Sequence, residues 1–128
     1  MPKSPVPVLT LRVVDLLDRS REGMAGAHLL QERLAAAHRQ RLALPEAETR
    51  QRFEEDAARA IEGERVRLRE RLLTRIRAIA EDLREERGAS AVLDDGLCLA
   101  RAPDVDVTEE VLARLDAPAM QRRAVGDG

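Results

Sequence analysis

Apolar positions along this chain follow two periods, and the switches between them mark its segments. Val8-Leu9-Thr10-Leu11-Arg12-Val13-Val14 is rich in β-branched residues, follows prolines, precedes Asp15, and predicts a strand. From about Leu16 to Leu44 the spacing turns helical. Ala27, Leu30, Leu34, Ala37, Arg41 and Leu44 step by three and four, a heptad-like seam in which Arg41 is the poor member. Gly23 and Gly26 weaken this helix near its start, each by about 1 kcal/mol against Ala, so a turn or irregular beginning is expected there. Pro45 would break a continuing helix but suits a first turn, so it ends one helix and opens the next. Glu46 and Glu48 then fall where carboxylates meet the free N–H groups of a helix start. The second stripe, Phe53, Ala57, Ile61, Leu68, Leu72, Ile76, Ile79 and Leu83, carries that helix to about Arg87, with Gly88 as a left-handed stop. Two long amphipathic helices joined by a short loop predict an antiparallel hairpin whose arm reaches roughly 40 Å at about 1.5 Å per residue.

Beyond Gly88 the pattern becomes extended. Ala91-Val92-Leu93 and Leu97-Cys98-Leu99-Ala100 flank Asp94-Asp95-Gly96, and an Asp-Gly pair between apolar runs predicts a β-hairpin with a type I′ turn. Thr108 is expected to cap a last short helix ending near Asp116. Glu109 and Glu110 would lie in its first turn, with Val107 and Leu112 forming a hydrophobic staple. A strand at the beginning and a hairpin near the end share a sheet only if the helical arm doubles back. The expectation is therefore α+β: a long antiparallel helical hairpin, or coiled-coil arm, on a small β-rich body. Residues 1–128 form one domain in this reading. The body comprises 6–15 and 89–116, the arm 16–88 with its tip near 44–46, and the flexible tail 117–128. Three short strands bury little and usually need another subunit, so Val8, Leu9, Leu11, Val13, Val92, Leu93, Leu97 and Leu99 are expected to carry oligomerisation.

Composition narrows this further. Phe53 is the one aromatic residue, so any core must be aliphatic, and Ala, Glu, Leu and Arg dominate, as in long helices. The formal charge of -2 argues against phosphate-neutralising nucleic-acid binding. Cys98, the single cysteine, excludes an internal disulfide and a multi-cysteine metal site. Met1 to Leu11 lacks a signal-peptide pattern, being interrupted by Pro2, Pro5 and Pro7, and no apolar run approaches the roughly 20 residues of a membrane span. The chain as written is expected to be soluble, without stable membrane insertion: periplasmic if a leader was removed, cytoplasmic otherwise.

The order of elements resembles the Skp/OmpH family of periplasmic chaperones over about residues 6 to 116. The most specific stretch is IRAIAEDLREERGASAVLDDGLCLARAPDVDVTEEVLARL, Ile76 to Leu115, similar to the family's helix end, apolar hairpin and Asp-Val-Thr-x-Glu-Val-Leu closing helix. VPVLTLRVVDLL followed by Gly23 is similar to its opening strand and helix. The resemblance implies a homotrimer with helical tentacles, acting as an ATP-independent holdase for unfolded outer-membrane proteins. This chain departs from the strongly basic classical members in its charge balance and shorter arms.

Candidate sites follow from the arm. Arg65, Arg67, Arg69, Arg71, Arg75 and Arg77 make a basic cluster with only Glu70 among them. It reads either as a solvated flank paired with acids of the neighbouring arm, or as an electrostatic surface for acidic clients, headgroups or nucleic acid. Leu42, Leu44 and Phe53 near the tip, with Arg65 and Arg69, are the candidate client contacts. His28 and His38 have no metal-ligand spacing, and Cys98 reads as a small buried hydrophobe. No nucleophile–base pair, carboxylate pair or phosphate-cradling loop can be assembled, so no enzyme activity, cofactor or metal is expected. Two further readings stand beside the holdase. One is an oligomeric coiled-coil adaptor docking on one folded partner; the other is a prefoldin-like chaperone, in which, however, the hairpin usually lies between the helices.

Overall fold

A computed structural model describes residues 6–117. The order is β1 (Val6–Leu11), α1 (Val13–Arg19), α2 (Arg21–Leu42), α3 (Ala47–Arg87), β2 (Ala89–Asp94) and α4 (Thr108–Leu115), with 3-10 turns at Asp95–Leu97 and Pro103–Val105. The chain is mostly helical, and its small sheet has two strands. The expected strand and second helix are both present, the strand ending at Leu11, short of Val14.

β1 and β2 pair in parallel, with Val8 opposite Ala91, Leu9 opposite Val92 and Thr10 opposite Leu93. The other edge of β1 is also occupied. Thr10 bridges Asp106, the Val107 N–H donates to the Thr10 carbonyl at 2.8 Å, and the Arg12 N–H donates to Thr108 Oγ1 at 3.0 Å. Flanked on both sides, β1 buries Leu9, Thr10 and Leu11 in succession. Leu9 and Leu11 join Leu16 of α1, Leu72, Ile76 and Leu83 of α3, and Val111 and Leu115 of α4 in one aliphatic core. The core is aliphatic throughout, each fully covered Leu, Ile or Val contributing about 1.5–3 kcal/mol of transfer energy.

Three sequence expectations need correction. The first helix is two, the irregular beginning expected near Gly23 being a full break at Ser20. Ser20 stands between them in an extended conformation (φ -67°, ψ 153°), its hydroxyl accepting from the Gly23 N–H at 3.0 Å and so capping α2. Gly23 is required there, because a Cβ on it would stand 1.8 Å from the Leu17 carbonyl oxygen. The second correction concerns the Asp95-Gly96 hairpin, whose return strand does not form among the described residues. Asp94 Oδ1 accepts from the Gly96 N–H at 3.2 Å and turns the chain into a 3-10 helix, while Gly96 lacks the positive φ that a type I′ turn demands. Third, Thr108 is the first residue of α4. Val107 holds the N-cap position, and the capping side chain comes from Asp106 before it, whose carboxylate accepts from the Thr108 N–H at 2.9 Å and from its hydroxyl at 2.5 Å.

The end of α3 stands as expected, and its start lies slightly later than Pro45 predicts. Gly88 adopts φ +64° and closes α3, its N–H donating to the Arg84 and Glu85 carbonyls. Pro45 lies in the loop joining α2 and α3, and Glu46 occupies the N-cap position of α3 rather than its first turn. The expected tail, apart from Ala117, lies outside the described residues. Among those residues no helix is long and apolar enough to cross a membrane.

Candidate functional site

Burial is unevenly divided along the two long helices. α2 has no buried residue, and α3 buries only Leu72, Ile76 and Leu83, all in its last 16 positions. Farther out the helices meet through half-covered residues. As the α2 number rises its partner on α3 falls: Glu22 pairs with Arg75, Arg33 with Glu64 at 3.2 Å, and Arg41 with Glu54 at 3.2 Å. A single aliphatic seam flanked by such pairs holds two helices together while leaving much of each apolar stripe in water.

Toward the loop this produces a groove of about 420 Å³ lined by Leu34, Ala37, His38, Phe53, Ala57 and Ile61, with Arg41, Glu54 and Glu55 on its polar rim. Leu34 is 54% exposed although it sits on the seam. Phe53 is half-buried in the groove. Leu42 projects at 65% exposure beyond it, and Leu44 is half-buried with its carbonyl accepting from Arg50 Nη1 at 2.8 Å. The structure thus brings Phe53 together with Leu34, which the sequence pattern places in the seam of the first helix. Arg65 and Arg69 lie elsewhere, on a second groove of about 350 Å³ nearer the body, whose floor includes Leu17, Leu30, Leu68 and Leu72. Gly26 opens this floor, since a Cβ there would come 3.5 Å from Leu68 Cδ1.

The basic cluster is divided in the same way. Arg65 meets Glu62 at 3.6 Å, and Arg75 pairs with Glu22 and donates to the Leu115 carbonyl at 2.9 Å, whereas Arg67, Arg71 and Arg77 point into solvent. Stronger charge pairing lies around α4. Arg19 forks onto Glu109 at 2.8 and 3.1 Å, Arg114 onto Glu86 at 2.9 and 2.8 Å, and the Arg21 N–H donates to Asp116 Oδ1 at 2.9 Å. The hydrogen bonds from these arginines hold the Glu109 and Glu86 carboxyls below the usual glutamate range. Partial burial pushes Asp106 up, but hydrogen bonds from Thr108 and the charges of Arg101 and Arg12 outweigh it, leaving a lowered pKa.

The body presents an apolar surface of its own. Leu93, Leu97 and Leu99 are 41%, 77% and 106% exposed, and among the described residues β2 has no strand on its outer edge. Val8, Val13 and Val92 are half-buried, while Leu9 and Leu11 face the chain's own core. Cys98 is half-buried, and no group of His, Cys, Asp and Glu suited to a metal ion occurs among the described residues.

Compared with known proteins, residues 17–115 match the family model described as outer membrane protein (OmpH-like). The fold is similar to that of a Caulobacter crescentus CB15 protein described as an OmpH-like outer membrane chaperone, with a TM-score of 0.51 and 16% identity, covering 91% of this chain and 86% of that one. No curated protein matches the sequence.

Proposed function

Because this chain belongs to the OmpH-like outer membrane protein family, a chaperone family, we propose that it is an ATP-independent holdase that keeps unfolded outer-membrane-type proteins from aggregating. Residues 16–88 act as an antiparallel hairpin arm, and the segments 6–15 and 89–116 as a body through which three copies assemble. The observation that carries this reading is the unequal burial. The core lies at the body end of the molecule, while the distal arm leaves Leu34, Leu42 and the Phe53 groove accessible. Many shallow apolar contacts bordered by mobile charges suit a client without fixed structure, which offers scattered apolar side chains rather than one complementary face. The outer edge of β2 with Leu93, Leu97 and Leu99 supplies the assembly surface, because an edge with no neighbouring strand among the described residues, beside exposed leucines, favours association. The family's chaperone character fits action in the periplasm.

The deciding experiment is dilution of a denatured β-barrel protein into buffer without ATP at near-stoichiometric chain concentration. Suppression of light scattering is expected; undiminished aggregation at several-fold excess would remove the holdase reading. The adaptor reading is favoured by the near-zero net charge, which weakens long-range capture of charged clients. Recovery of one stoichiometric folded partner, in place of a broad set of envelope proteins, would establish it instead.

A further inference from the structure

We infer that Arg101 is a positioning residue for self-association: by tying together both ends of the loop between β2 and α4, it fixes the shape in which Leu97 and Leu99 meet a second copy of this chain. This rests on the assembly surface proposed above and adds the device that controls it.

The loop runs from Asp95 to Asp106 and contains no strand, only its two 3-10 turns. Left to itself, a segment of this length samples many shapes, and docking it would carry the full ordering cost. Arg101 reaches from the middle of the loop to both ends, with Nε 2.5 Å from Asp95 Oδ1 and Nη2 3.3 Å from Asp106 Oδ2. Asp106 is itself fixed by its cap on α4 and by Arg12, whose Nη2 stands 3.9 Å away. The three side chains retain 26%, 23% and 18% of their accessible surface, so the cluster is less screened than a fully exposed pair. Leu97 and Leu99 stand out from the loop on either side of Cys98, and β2 with Leu93, which has no further strand on its outer edge among the described residues, continues the same stretch of chain. The charge cluster holds the loop in one form while the leucines provide the contact. A second copy is the occupant on the reading proposed above, because the loop is continuous in sequence with the edge assigned to assembly.

The test is sedimentation equilibrium of the full chain, of Arg101→Gln and of Asp95→Asn, each at about 50 mM and 500 mM salt, with far-ultraviolet circular dichroism as a check on folding. Both variants are expected to keep the wild-type helix content. Their association should weaken about fivefold per subunit, on the order of a hundredfold in a three-copy constant. Wild-type association is expected to fall with salt, and that of Arg101→Gln to respond much less. Arg101→Gln associating as tightly as wild type, or more tightly, with an unchanged salt response would overturn the inference while leaving assembly intact. A wild-type chain that stays monomeric at every concentration would remove the assembly reading, and this inference with it, before any substitution is compared. Should Arg101→Gln fail to fold, Asp95→Asn decides by the same criteria.

Discussion

Gly23 and Gly26 lie three residues apart in one helix, yet replacing them with alanine is expected to change stability in opposite directions. At Gly23 a Cβ would stand 1.8 Å from the Leu17 carbonyl oxygen and 2.9 Å from Ser20 Oγ. The nearer obstacle is backbone, so no rotamer change relieves it and the α1–α2 junction must open. Opening it breaks the Ser20 cap on the Gly23 N–H, worth about 1 kcal/mol, and disturbs packing around Leu16, where overfilling costs about 1–3 kcal/mol. Gly23→Ala should therefore destabilise the chain by about 2–4 kcal/mol, lowering the melting temperature by roughly 10 °C. At Gly26 the added methyl meets only Leu68 Cδ1 at 3.5 Å, an ordinary contact, and the helix gains about 0.5–1 kcal/mol from the loss of glycine. Gly26→Ala should melt a few degrees higher. The assay is thermal unfolding followed by circular dichroism at one fixed protein concentration, because association would otherwise shift the midpoint. Equal melting temperatures for wild type and Gly23→Ala would refute the close approach, and with it the break at Ser20.

Two further outcomes are expected. Glu86 and Glu109 have folded pKa values lowered by Arg114 and Arg19, so their stabilisation is complete above the ordinary glutamate value of about 4.3 and is lost as the pH falls through the lower folded values. Melting temperature should drop on acidification below about pH 4.5, and Arg114→Gln should flatten that drop; an unchanged profile in this variant would show that the pair contributes nothing. In the arm, Phe53→Glu should leave the melting temperature within a few degrees of wild type, yet raise severalfold the concentration needed to suppress client aggregation. Full protection by this variant at the wild-type concentration would exclude the distal groove as a client contact.

Features that depend on a few neighbouring residues were legible in the sequence. Gly88 marked the end of α3, Pro45 the loop between the long helices, and Val8 to Leu11 the opening strand, because in each case local sterics or propensity decides. What depends on distant partners was not. One part is an exception: the element order showed that β1 shares a sheet with the segment after Gly88, but nothing near Thr10 specifies the parallel register with β2 or the bridge to Asp106. The Asp95-Gly96 signal misled because it competes with Asp94, whose side chain reaches the Gly96 N–H first. The break at Ser20 lies close to the irregular beginning that Gly23 and Gly26 predict, but the helical spacing starting at Leu16 runs across it. The part played by Leu34 in the groove was hidden for a related reason: heptad spacing reports which face of a helix turns toward its neighbour, not how completely the neighbour covers it.

The single helix α3 has one more consequence. Its 41 residues extend for about 60 Å, and the part between Ala47 and Leu72, roughly 37 Å, lies beyond the buried core. A tilt of only about 5° at the base therefore displaces the far end by roughly 3 Å, about the width of a methylene contact. α2 runs beside this stretch and is tied to it by the Arg33–Glu64 and Arg41–Glu54 pairs, so the two helices move together. Small rearrangements where Arg75, Glu22 and Leu115 meet, at the base of the exposed stretch, are thus magnified into larger displacements at its far end, as along a lever.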